Sequence, residues 1–173
     1  MLDEYFNKMK SFVKSSQQEK FVAIGECGLD YERLFVAEES VQKMVFIKHF
    51  ELAKEFNLPM ILHSRSCAND FNEIVKEHRE DFPKGVVHCF TGSEQEMKDI
   101  LEMDLSIGLT GLSFKTEENI AVVKQIPLDK IIVATYSPFC IVKDDYAGYQ
   151  YVKTKFNSNL KDEYKTNELV MGR

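Results

Sequence analysis

The sequence has no apolar run approaching the roughly 20 residues of a membrane-spanning helix, so no stretch of it reads as a membrane segment. Its opening, MLDEYFNKMK, is charged and amphipathic and lacks the apolar core of a secretory signal. CxxC pairs are absent too. Cys27, Cys67, Cys89 and Cys140 stand far apart, and three of them lie in or beside apolar runs. That pattern argues for buried thiols in a reducing compartment, cytoplasm or nucleus, and against a disulfide framework. Positive charge is in short supply: 22 Lys+Arg face 28 Asp+Glu, a net charge of −6. A broad basic face for nucleic acid is thereby disfavoured. A nucleic-acid enzyme stays open, because bound metal ions can supply the missing charge. Length is the last shortage. The 173 residues suit one domain, but an eight-stranded α/β barrel typically takes about 250.

What is present is a regular alternation. Short β-rich runs begin near residues 21, 59, 85, 105 and 131 (FVAIGEC, PMILHS, GVVHCF, LSIGLTG, KIIVATYS). Between them lie helical patterns. One covers about 38–57, with Val41, Met44, Val45, Ile47, Leu52, Ala53 and Phe56 near helical spacing and Lys48 as a polar intrusion. Asn57 and Pro59 stop it. Others cover about 70–80 and 116–125, and Ser93 with Glu96 reads as a capping box opening a helix that runs to about Met103. The residues before Phe21 read as one more helix, with Leu2, Tyr5, Phe6, Met9, Phe12 and Val13 on one face. Such βα alternation predicts an α/β fold whose parallel strands are covered by helices. From Ile141 the pattern fails, and 141–173 reads as an irregular, Tyr-rich C-terminal extension.

Three of the runs lead into a residue that can hold a metal: Glu26, His63 and His88. The C-terminal ends of parallel strands lie on one face, where active sites are built. Two imidazoles and a carboxylate suit a divalent cation and leave positions open for water or substrate. Such a cation polarises a phosphoryl or carbonyl oxygen and lowers the pKa of bound water. A single histidine at a strand end is more often a hydrogen-bonded core residue than a ligand; the three together, with a half-buried Glu26, argue for a site. His49 and His78 fall in helical patterns among charges and read as solvent-exposed.

Arg65, just past His63, is either a phosphate clamp or an ion-pair partner of Asp70 or Glu73. Ser93 opens a helix, so it is either part of a phosphate site or an ordinary cap. Asp30 and Tyr31 line the same rim. Tyr136 stands where a further acidic ligand is expected; it either contacts substrate or caps the mouth of the fold.

GECGLDY (25–31), FELAKEFNLPMILHSR (50–65), GVVHCFTGS (85–93), LSIGLTG (105–111) and IPLDKIIVATYSPFC (126–140) together resemble the TatD family, most closely its eukaryotic type. The resemblance implies a TIM-type (β/α)8 barrel and metal-dependent deoxyribonuclease activity, exo- or endonucleolytic, in DNA catabolism. It further implies one or two Mg²⁺, Mn²⁺ or Zn²⁺ ions. Glu26 corresponds to the metal-bridging carboxylate, and His63 and His88 to ligands of one metal. Arg65, Ser93 and Tyr136 become substrate-contacting candidates.

Two departures qualify that reading. The family's first strand carries His-x-His, which occurs nowhere here. Its Glu-Thr-Asp-x-Pro signature reads Ala134-Thr135-Tyr136-Ser137-Pro138. One metal site keeps Glu26, His63 and His88, and the second is largely lost. The expectation is a partial barrel of about five parallel strands over 1–140, shortened at both ends, as in a truncated product, isoform or paralogue. Its open edges offer a route to self-association. The expected function is an impaired deoxyribonuclease acting on DNA. An inactive relative and another metal-dependent hydrolase of the same superfamily are the alternatives.

Overall fold

The structure, a computed structural model, describes residues 2–15, 20–136 and 139–153. Of the expected C-terminal extension, 141–153 carries the 3-10 turn Ala147–Tyr151, and 154–173 lies outside the described residues. Five parallel strands and flanking helices give the expected α/β class. The chain divides into two compact units, Met1–Val87 with Glu102–Leu105, and His88–Leu101 with Ser106–Arg173.

In the first unit, helix α1 (Leu2–Ser15) precedes strand β1 (Ile24–Asp30), helix α2 (Glu39–Phe56), strand β2 (Met60–Arg65), helix α3 (Ala68–Glu77) and strand β3 (Gly85–Val87). Strand β2 pairs in parallel with both β1 and β3. The β1–β2 register sets Gly28 opposite His63 and Asp30 opposite Arg65, after an irregularity between Ile24 and Cys27. Leu29, Met60, Leu62 and Val87 are buried from the strands, Phe46, Phe50, Leu52 and Ala53 from α2, and Phe71 and Val75 from α3. Phe46 stacks on Phe71 with ring centroids 5.8 Å apart and touches Phe50 at 4.8 Å. As expected, α2 stops at Asn57, which is left-handed at φ 50 and sends its N–H back to Ala53 and Lys54.

The buried stripe of α2 is not the one the apolar spacing proposes. Val41 and Met44 are exposed. Phe46, Phe50 and Ala53, at i, i+4 and i+7, set the phase, because two phenyl rings bury more area than Val and Met together offer. The two helical histidines also depart from expectation. His49 sits edge-on to Phe6 of α1 at 5.0 Å and donates Nδ1–H to the Val45 carbonyl at 2.8 Å. His78 stacks on Phe50 at 4.8 Å and bonds Asp81 at 2.9 Å. Both rings pack against neighbours, where solvent exposure was expected.

The second unit contains helix α4 (Glu94–Glu102 apart from its last residue), strand β4 (Ser106–Leu109), helix α5 (Glu117–Val123) and strand β5 (Ile131–Val133). Strands β4 and β5 are parallel, with Ile107 opposite Ile131 and Leu109 opposite Val133. The Ser93 capping box is present: Ser93 N–H donates to the Glu96 carboxylate at 2.7 Å, and Ser93 Oγ accepts from Glu96 N–H at 3.3 Å. Helix α5 opens on a second box, Thr116 with Asn119. Buried Ser113 donates to the Phe90 carbonyl at 2.6 Å and accepts from Thr110 N–H at 3.1 Å. Strands β3 and β5 are each shorter than their apolar runs. After β3, Cys89 is left-handed at φ 54, which ends extended backbone just past His88.

Candidate active site

Gly28 is what lets β1 lie against β2 at the site. Its φ is +153, and a Cβ built there would meet the His63 carbonyl oxygen at 1.9 Å, so no side chain fits. That close approach carries Glu26 on β1 and His63 on β2 into contact: His63 Nδ1 lies 3.1 Å from Glu26 Oε1. Both side chains stay reachable, 29% and 27% exposed respectively. The other ring nitrogen, Nε2, lies 3.5 Å from Asp30 Oδ2. One imidazole therefore stands between two carboxylates.

Strand β1 does not end at Glu26 but runs on to Asp30, and this continuation brings Asp30 into the site. Its backbone is fixed by a side chain that carries no motif signal. Gln42 of α2 accepts from Asp30 N–H at 2.8 Å and donates to the Asp30 carbonyl at 3.0 Å and the Ala37 carbonyl at 2.9 Å. Arg65, the last residue of β2, is in an ion pair, one of its two expected roles, but with different partners. Its Nη2 lies 2.8 Å from Glu32 Oε2 and its Nη1 3.9 Å from Asp30 Oδ2. Asp70, its expected partner, bonds Tyr31 and lies 2.6 Å from Lys43, and the Lys43 ammonium and then the Tyr31 hydroxyl hold its carboxyl below the usual range.

In the second unit, His88 follows β3 directly, and its ring lies 5.5 Å from that of Tyr136, tilted by 39°. Tyr136 stands beyond the end of β5, bridged to Phe139; the next two residues of the signature segment, Ser137 and Pro138, lie outside the described residues. Cys89 Sγ lies 3.0 Å from Thr110 Oγ1. Ser93 is engaged in its capping box. Cys27, next to Glu26, is buried; burial first, and then the Glu26 charge, push its thiol up to about 12, so it packs and does not attack. All four cysteines are free thiols.

The donor chemistry at Glu26 and His63, a hard carboxylate and a borderline imidazole at one reachable spot, fits two positions of a divalent cation's shell. Among the described residues, no group of three or more His, Cys, Asp or Glu side chains is gathered closely enough to hold a metal ion. No helix among them is long and apolar enough to cross a membrane.

The chain is 43% identical over 175 residues to the "Deoxyribonuclease Tat-D" of Schizosaccharomyces pombe, covering 99% of this chain and 56% of that protein. It is 39% identical over 126 residues to the "3'-5' ssDNA/RNA exonuclease TatD" of a Rahnella species, covering 71% of this chain and 48% of that one. Among solved structures, a TatD-family hydrolase from Entamoeba histolytica superposes with a TM-score of 0.82 at 37% identity, over 88% of this chain and 50% of that one. The chain thus spans about half the length of the relatives it matches. The family described as TatD related DNase matches residues 2–162, nearly the whole sequence. With its α/β fold and these matches, the chain belongs to the TatD family.

Proposed function

We propose that this chain is a metal-dependent hydrolase of DNA phosphodiester bonds whose turnover is low. The observation that carries the reading is the Glu26–His63 pair, held at 3.1 Å by the Gly28 approach, in a chain 43% identical to a named deoxyribonuclease. Glu26 and His63 would hold Mg²⁺, Mn²⁺ or Zn²⁺, and the family resemblance implies a metal-ligand role for His88 as well. The ion would supply Lewis acidity toward a phosphoryl oxygen. Arg65 and the start of α4 at Ser93 take phosphate in this reading, and the Tyr136 hydroxyl donates to substrate. A phosphate reaching Arg65 must displace Glu32 from the guanidinium. Turnover is low in this reading because Ala134 and Tyr136 stand where the family's signature carries two acids. Cytoplasm or nucleus is the proposed location, and pairing through open strand edges the proposed mode of self-association.

A second reading, a relative that binds without catalysis, is favoured by one observation: an aromatic ring, Tyr136, packs beside His88 where the family carries an acid. The test incubates the purified chain with end-labelled single-stranded DNA and Mg²⁺ or Mn²⁺, beside the His63→Ala variant and an EDTA control. Nucleotide release abolished by both controls is the expected result. Release that survives both overturns the proposal. Absence of release from a chain that binds the metal establishes the second reading, and cleavage of a small ester but not of DNA makes it a hydrolase of another class.

A further inference from the structure

Asp30 is fixed from three directions before its carboxylate meets anything functional. Gln42 clamps its backbone N–H and carbonyl, and its Oδ1 accepts the Glu32 N–H at 3.1 Å as the cap of the turn Tyr31–Arg33. What remains is Oδ2, which lies 3.5 Å from His63 Nε2, 3.5 Å from Arg33 Nε and 3.9 Å from Arg65 Nη1. The side chain is only 19% exposed, so water screens these contacts weakly. His63 Nδ1 is taken by Glu26, so the ring's remaining rotational freedom is about the axis that Asp30 closes.

We infer that Asp30 is a positioning residue, whose carboxylate fixes the plane of the His63 ring against Glu26 and steadies Arg65 at the end of β2. The inference rests on the reading of His63 as a functional group. Carboxylates that orient a functional imidazole through its second nitrogen commonly contribute about 10- to 100-fold to ligand affinity or activity.

A purely structural role, capping the turn, makes a different prediction, and two variants separate the two. Asp30→Asn and Asp30→Ser both keep a good cap for the Glu32 N–H, and both remove the charge facing His63. The first measurement is independent of catalysis: long-range ¹H–¹⁵N spectra of the full chain without metal. The His63 Nε2 signal should move in both variants, and the Nδ1 signal, facing Glu26, should move with it as the ring loosens. If Nε2 stays in place in both, the inference is overturned whether or not the chain cleaves DNA. The second measurement is steady-state cleavage of single-stranded DNA. In both variants kcat should fall about tenfold or more. Unchanged kcat in an active chain also overturns it. A chain inactive in every form, in which Nε2 still moves, would leave this inference standing and remove the nuclease reading.

Discussion

Glu26 Oε1 and His63 Nδ1 meet at 3.1 Å although 37 residues separate them in sequence. The meeting is a matter of strand register: Gly28 faces His63, and the residues two before and two after Gly28 on β1 flank the same ring. If this pair supplies metal ligands, Glu26→Gln and His63→Ala should each weaken Mn²⁺ binding at least tenfold, since even partners outside the ligand shell cost that much. Isothermal calorimetry on the folded variants measures it, and affinities equal to the unaltered chain would remove both residues from the ligand set.

Gly28→Ala should damage the same register from the backbone side. The added methyl would fall on the His63 carbonyl oxygen at a φ that L residues avoid. Strain of that kind should cost of order 2 kcal/mol or more. Urea denaturation should show a lower midpoint, with a weakened Mn²⁺ signal in whatever remains folded. A midpoint within experimental error of the parent would mean that β1 and β2 are farther apart than described.

His49 gives the fold a pH dependence. Burial against Phe6 lowers its pKa below the ordinary histidine value of 6.5, with the bond to Val45 acting in the opposite sense. The unfolded chain therefore binds a proton at this residue more readily than the folded one, and stability rises with pH. The full contribution is present above 6.5 and is lost as the pH falls from there toward the lowered folded value. Asp70 and Asp81, whose lysine partners lower their pKa below 3.8, give up their contributions only in more acidic solution. Chemical denaturation between pH 7 and 5 should show a falling midpoint, and His49→Phe should flatten that slope. An equal slope in both proteins would place the proton uptake elsewhere.

Tyr136→Asp should restore an acid at the family's position in the fifth-strand segment. If Tyr136 stands where that acid belongs, the variant should bind Mn²⁺ more tightly and cleave DNA faster than the parent. Unchanged affinity by calorimetry would show that this position does not face the metal.

Much of this molecule was legible in the alternation of short apolar runs and helical patterns, because run length, flanking Gly and Pro and β-branched content separate strands from helices where periodicity alone does not. Asn57 as a helix stop and Ser93–Glu96 as a capping box follow from local backbone chemistry alone, and both stand in the structure. The facing of α2 was not legible, because apolar residues occur nearly all around it and only tertiary contact, with Phe71, His78 and Phe82, selects the Phe46–Phe50 stripe. The packing of His49 and His78 was hidden for a related reason: charged neighbours in sequence point outward while the imidazoles turn toward Phe6 and Phe50. At the site, Glu26 and His63 announce themselves as polar residues in apolar strands. The brace around Asp30 does not, because Gln42 is an unremarkable glutamine until the fold sets it beside β1. Arg65 could be read as a pairing residue, but its partner Glu32 follows only from the register that sets Asp30 opposite Arg65.

The Arg65–Glu32 contact bears on how binding should respond to salt. Affinity for nucleic acid usually falls with ionic strength because each basic side chain neutralising a phosphate frees a condensed counterion. Here the guanidinium already carries an internal anion. A phosphate arriving at Arg65 exchanges with the Glu32 carboxylate, which must then recruit a cation from solution. The counterion freed from the strand is matched by one taken up at Glu32, so this contact would add little to the salt dependence. The chain's grip on a polyanion would be less salt-sensitive than a tally of its arginines and lysines implies.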